Sequence, residues 1–183
     1  MKSLQLDRPH AIIVIGIQGS GKTFFAEKFA STFNAPFIEQ AMFDHAVSDE
    51  ADAKALMTSM LKEMLKTGRS IVVELALPTK AERVDLTRQL KQAGYAPLYV
   101  WVQVDIETAI ARSHRTSRIS ADEYRDRMRR FTPPHQNEHA LVISGKHTFA
   151  TQAKAVLRKL SGPRQTPEPP HRNQPPRGQI IVR

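Results

Sequence analysis

Gly16-Ile17-Gln18-Gly19-Ser20-Gly21-Lys22-Thr23 matches the pattern G-x-x-x-x-G-K-[ST] at every fixed position, and these residue types at this spacing bind phosphate. Glycines let the backbone wrap closely around an anion and aim its N–H groups, together with a helix N-terminus, at the charge. The predicted nucleotide-binding set from this loop is Gly16, Gln18, Gly19, Ser20, Gly21, Lys22 and Thr23. Lys22 would reach the β- and γ-phosphates of ATP, and the Thr23 hydroxyl would ligate Mg²⁺.

Arginines form a second cluster with chemical content. Arg112, Arg115 and Arg118 recur at a regular spacing, followed by Arg125, Arg127, Arg129 and Arg130, with Asp122, Glu123 and Asp126 to offset them. A guanidinium pairs bidentately with phosphate oxygens and stabilises charge that develops during phosphoryl transfer. The later arginines are spaced to form helix ion pairs instead, Asp122 with Arg125 and Arg129 with neighbouring acids. Ser120-Ala121-Asp122-Glu123 has the form of a capping box and sets that group on a helix.

The elements that must hold these residues alternate between strand and helix, as in a parallel α/β sheet. Ala11 to Ile15 is a β-branched run that reads as a buried strand, and Phe24 to Phe33 follows as a helix without Gly or Pro, so the loop lies between the two. Pro36 to Glu39 reads as a second strand, followed by a polar turn with Asp44 and His45. Ala51 to Lys66 is a helix whose stripe of Leu56, Met57, Met60, Leu61, Met64 and Leu65 is expected to pack in the core. Ile71 to Leu75 is a strand; Pro78 and Thr79 open a helix that Gly94 ends. Leu98 to Val104 is a fourth strand, with Tyr95, Tyr99 and Trp101 as packing groups, and Asp105 caps a short helix. Ala140 to Ile143 and Phe149 to Leu160 complete the pattern as strand and amphipathic helix.

At 183 residues the chain suits one α/β core, expected over 1–160. Ser161 to Arg183 holds half of the 12 prolines with four arginines and one Glu, a composition that cannot bury enough surface to offset its ordering entropy. It reads as a disordered basic tail that could dock on nucleic acid or a protein partner. The formal net charge of +9 favours polyanionic partners. The chain has no Cys, which excludes disulfides and thiolate metal sites, and the apolar run near the N-terminus is too short for a membrane span or a signal-peptide core. A soluble cytoplasmic protein is expected. There is no internal repeat.

The phosphate loop with its flanking strand, the strand ending in Glu74, the Pro78-Thr79-Lys80 turn and the arginines near Arg112 together resemble the P-loop kinases related to phage polynucleotide 5′-kinase, zeta toxins and small sugar kinases. The resemblance spans roughly 10–160 in element order. It implies a P-loop NTPase fold: a doubly wound parallel sheet of about five strands flanked by helices, with an arginine-rich lid. It also implies ATP and Mg²⁺ at the C-terminal ends of the strands. On this likeness Glu74 joins Thr23 at the metal, and Asp44 beyond the second strand is the base that acts on an acceptor hydroxyl, with Glu39 as the alternative. His45 supports Asp44 at most. Arg112 contacts the nucleotide, while Arg115 and Arg118 belong to the lid and act on the transferring phosphoryl. The chain departs from these relatives at Leu75-Ala76-Leu77, where they carry polar residues, and that change weakens the assignment of an acceptor. The resemblance and the basic charge imply phosphoryl transfer to a nucleic-acid 5′-hydroxyl, with a sugar or other small metabolite as the alternative acceptor. An ATPase without an acceptor, or a nucleotide-gated binding module, is the competing class.

Overall fold

The computed structural model describes residues 6–75, 79–116 and 121–162, and of 114–116, 121, 123 and 127 the backbone alone. Leu77, Pro78, Arg118, Ser120 and the tail beyond Gly162 lie outside the described residues, as do the side chains of Arg115, Glu123 and Arg127.

Strand β1 (His10–Ile15) is the centre of the sheet, and its apolar run is buried on both faces from Ala11 onward. A central parallel strand needs this continuous apolar composition, because helices cover both of its sides. It pairs in parallel with β3 (Ile71–Glu74) and β4 (Ala96–Gln103). β2 (Phe37–Glu39) and β5 (Leu141–Ser144) are the edges, so the five-stranded parallel sheet has the order β2-β3-β1-β4-β5. Alternation along β1 sorts the core into two layers. Ile12 and Val14 pack with Phe25 and Phe29 of α1 (Lys22–Phe33) and Val156 of α7 (Phe149–Leu160). Ala11, Ile13 and Ile15 pack with Leu61 of α3 (Glu50–Lys66) and with Leu86 and Leu90 of α4 (Lys80–Gln92). The sheet is thus doubly wound and parallel, with helices on both faces, as the alternating pattern implies.

Caps set the helix boundaries. Thr79 and Glu82 form a full capping box at α4, and Asp49 accepts from the N–H groups of Ala51 and Asp52 at α3. Asp105 caps α5 (Ile106–Thr116) by accepting from Thr108 N–H. Helix α6 (Ala121–Arg130) follows, then a short 3₁₀ turn at Gln136–Glu138.

Two expectations need correction. The polar turn after β2 is a short helix, α2 (Gln40–Asp44), with Asp44 as its last residue and His45 at its C-cap. The α3 stripe is also only partly core. Met57, Leu61, Met64 and Leu65 face the layer, whereas Leu56 and Met60 are 47% and 43% exposed. At about 100° per residue the buried face runs through Ala53, Met57, Leu61 and Met64, and Leu56 and Met60 fall one step off it.

Because every strand runs the same way, the C-terminal ends of the strands share one edge of the sheet. That edge collects the phosphate loop, Glu39, Glu74, the turn between β4 and α5, and the turn between β5 and α7. In open α/β sheets this edge is where ligands bind.

Candidate active site

The phosphate loop turns tightly out of β1, with Ser20 N–H donating to Ile17 C=O at 3.1 Å, and enters α1 through Gly21 in the left-handed region at φ 92°. Gly21 supplies no side-chain cap, and the first turn of α1 contains no acidic residue. The N–H groups at this helix end therefore remain available to an external anion. The loop is pressed into the protein as well as curled. A Cβ at Gly19 would lie 2.1 Å from Ala109 C=O in α5, and one at Gly145, after β5, would lie 2.1 Å from Ser20 C=O. Only hydrogen fits at either contact. From α6, the Tyr124 hydroxyl donates to Gln18 C=O at 3.1 Å, and Arg112 Nη1 donates to Gly145 C=O at 3.0 Å. The predicted loop residues Gly16 to Thr23 and Arg112 are thus brought together, with the Arg112 guanidinium beside the Gly21 turn.

At the mouth of the loop, Thr23 Oγ1 donates to Glu74 Oε1 at 2.9 Å, and Lys22 Nζ lies 3.3 Å from the same oxygen. The Glu74 side chain is 7% exposed, and its second oxygen, Oε2, is buried without a hydrogen-bond partner. A buried carboxylate oxygen left unmatched is costly unless a cation satisfies it. An unmatched oxygen beside a threonine hydroxyl fits Mg²⁺, a hard ion bound by few protein oxygens with nucleotide phosphates completing its shell. Glu39 ends β2 in register with Glu74. Partial burial raises the pKa of Glu39, and the charges of Glu74 and Glu27 raise it further, against the lowering effect of Lys22 and His45. Asp44, by contrast, is exposed at the end of α2.

A profile described as AAA domain matches residues 12–118, more than half of the chain. The chain belongs to the AAA domain family. The matched segment of this AAA domain begins within β1, includes the phosphate loop, Glu39, Glu74 and Arg112, and stops before α6. No curated protein sequence matches the chain. Among solved structures, a gluconokinase from Sinorhizobium meliloti 1021 has a TM-score of 0.64 at 18% identity, covering 83% of this chain and 91% of its own. A sugar kinase from Janibacter sp. HTCC2649 has a TM-score of 0.66 at 15% identity, with 84% and 96% covered. The Mycobacterium tuberculosis APS kinase, solved with AMPPNP and APS, has a TM-score of 0.62 at 13% identity, with 85% and 99% covered. These likenesses give the AAA domain protein the fold of P-loop kinases.

The remaining arginines divide as their spacing implies, where they are described. Arg125 pairs with Asp122 at 2.5 Å and Arg129 with Asp126 at 3.4 Å, on the exposed surface of α6. Exposed pairs of this kind contribute little to stability. Two features beyond the arginine cluster went unread in the sequence. Arg83 of α4 is 1% exposed and grips Glu138 with two bonds, Nε to Oε2 at 2.6 Å and Nη2 to Oε1 at 2.9 Å, while Nη1 donates to Thr132 C=O at 2.9 Å. Its spacing with Leu86 and Leu90 sets it on the inward helix face, a signal present in the sequence. The second is Tyr124, buried on α6 and bonded to the loop at Gln18. Tyr95 and Tyr99 are buried, with hydroxyls bonded to the carbonyls of Leu65 and Arg69 and of Arg83, and Trp101 packs on Phe131, so all three are packing groups. Among the described residues no helix is long and apolar enough to cross a membrane.

Proposed function

We propose that this protein is an ATP-dependent phosphotransferase that moves the γ-phosphoryl group of ATP to an acceptor hydroxyl. The observation that carries this reading is the convergence of Lys22, Thr23 and the half-satisfied Glu74 carboxylate at the head of an uncapped helix, with Glu39 across from Glu74. The loop and the first turn of α1 bind the phosphates through backbone N–H groups, and Gly19 and Gly145 allow the close approach that keeps the loop rigid. Lys22 exchanges its carboxylate partner for the γ-phosphate and neutralises charge there. Thr23 and Glu74 would hold Mg²⁺, which supplies charge neutralisation at the phosphate oxygens. Glu39 orients the acceptor hydroxyl and takes its proton, a role its raised pKa suits better than that of a freely solvated acid. Asp44, exposed at the end of α2, is the second candidate for that role. Arg112 steadies the nucleotide side of the loop, and Arg115 and Arg118 stabilise the transferring phosphoryl.

Support for a small acceptor comes from the fold shared with a sugar kinase and a gluconokinase, whereas a nucleic-acid 5′-hydroxyl rests on the resemblance to polynucleotide 5′-kinases and on the overall basic charge. A cytoplasmic setting, where ATP is plentiful, suits the same reading. The test is a panel of sugars, nucleosides and 5′-hydroxyl oligonucleotides with γ-labelled ATP, run beside Lys22→Ala. Transfer to any acceptor that disappears in the variant supports the reading, and ATP hydrolysis indifferent to every acceptor overturns it.

A further inference from the structure

Among the described side chains of α6, Tyr124 alone is buried; Met128 is half-buried, and Asp122, Arg125, Asp126, Arg129 and Arg130 are exposed. The pairs of Asp122 with Arg125 and of Asp126 with Arg129 run along the helix itself and do not reach the body of the protein. The Tyr124 hydroxyl does: across 106 residues of sequence it donates to Gln18 C=O at 3.1 Å. Two other carbonyls of the phosphate loop are met from close by in the chain, Ile17 C=O by Ser20 N–H and Gly21 C=O by Phe25 N–H. The peptide between Gln18 and Gly19 is therefore held from outside the loop. Burial raises the pKa of the Tyr124 hydroxyl, which keeps it protonated and a donor.

The orientation of this one peptide plane decides which group an anion in the loop meets. No peptide bond among the described residues is cis, and in a trans peptide the C=O and the following N–H point in opposite directions. With Gln18 C=O turned to α6, Gly19 N–H is turned away from α6. Gly19 has φ 79°, and a glycine adopts either sign of φ at little cost, so the backbone by itself leaves the plane free to flip. A Cβ at Gly19 would lie 2.1 Å from Ala109 C=O, so no other residue type can take over that choice. The hydrogen bond from Tyr124 makes it instead.

We propose that Tyr124 is a positioning residue of the nucleotide site, whose hydroxyl holds the Gln18–Gly19 peptide in the orientation that presents Gly19 N–H to the phosphates. It touches no phosphate itself. The inference deepens the proposed function and rests on the nucleotide site of that reading, whatever the acceptor is. An N–H fixed before the ligand arrives needs no reorganisation on binding, and a donor held in place contributes more than a mobile one.

The test is Tyr124→Phe, which deletes the hydroxyl and keeps the ring, with Met128→Ala as a packing control on the same helix. Binding of ADP·Mg²⁺ and AMPPNP·Mg²⁺ is measured by calorimetry, and the Gly19 amide is followed by NMR as ADP·Mg²⁺ is added. Kd for both nucleotides should rise roughly three- to tenfold in Tyr124→Phe, the range for one lost hydrogen bond, and stay near wild type in Met128→Ala. At saturating ADP·Mg²⁺ the downfield shift of the Gly19 amide proton should be smaller in Tyr124→Phe than in wild type, a change that looser helix packing does not produce. Unchanged affinity in Tyr124→Phe, an undiminished Gly19 shift, or an equal loss of affinity in Met128→Ala would each overturn the positioning role and leave the phosphotransferase reading standing. A wild-type Gly19 amide that ADP·Mg²⁺ does not move would overturn it without any variant. Wild-type protein that binds neither nucleotide would overturn both.

Discussion

Lys22 lies 3.3 Å from Glu74 Oε1, so its amine serves a buried carboxylate as well as the phosphate it is placed to bind. Lys22→Ala should keep the fold, as circular dichroism would show, and lose productive ATP·Mg²⁺ binding in a titration, because backbone N–H groups alone cannot replace a charge at the γ-phosphate. Unchanged turnover would remove the basis for the proposed chemistry. The choice between the two candidate bases is equally direct. Glu39→Gln should lower acceptor phosphorylation by about 10²–10⁴-fold with ATP affinity preserved, and Asp44→Asn should have a much smaller effect. Burial, Glu74 and Glu27 raise the Glu39 pKa above its ordinary value of 4.5, so the acid limb of kcat/KM should lie above that value and vanish in Glu39→Gln. The same shift has a stability sign. Between its unfolded and its raised folded pKa, Glu39 binds more protons in the native state, so stability falls as pH rises through that window. Glu39→Gln should therefore raise the melting temperature at neutral pH, with the gain disappearing below the ordinary carboxylate range. A large loss of transfer in Asp44→Asn with Glu39→Gln near wild type would reverse the assignment.

Helices α5 and α6 and the turn after β5 hold the phosphate loop from outside, and the segment after α6 is fastened to the core through Arg83 and Glu138. Arg83→Met leaves Glu138, whose side chain is 10% exposed, as an unpaired acid and should cost about 3–5 kcal/mol in denaturant unfolding. Glu138 has its pKa lowered, first by the hydrogen bond from Arg83. A depressed carboxylate contributes stability that is fully present above its unfolded pKa and is lost as pH falls through the lower folded value. The gap between wild type and Arg83→Met should thus narrow in acid. A gap that is constant across pH would mean that poorer packing, rather than the broken ion pair, sets the cost.

For the whole molecule, the formal net charge of +9 is a sum over segments, and 161–183 carries four of the arginines. Removing 161–183 should spare transfer to a small acceptor, since the tail holds no residue of the phosphate loop or of the carboxylate pair and follows the last core helix. If the tail grips a polyanion, the truncation should weaken oligonucleotide binding and flatten its salt dependence in proportion to the number of phosphates the tail neutralises. Loss of turnover on a small acceptor by a folded truncation would place the end of the catalytic unit beyond 160.

Local chemistry determined much of this protein. A fixed-spacing loop between a β-branched run and a helix carries its own geometry, and alternating strand and helix signals are enough for a parallel doubly wound sheet, because periodicity and turn residues act within a few residues of one another. Glu74 at the end of its strand was legible in the same way. What the sequence left open depends on which distant segments meet. Glu39 and Asp44 are near neighbours in the chain, but only strand pairing sets Glu39 beside Glu74 and leaves Asp44 exposed at the end of a helix. Arg83 and Glu138 are far apart in sequence, and Tyr124 reaches Gln18 across an even longer separation.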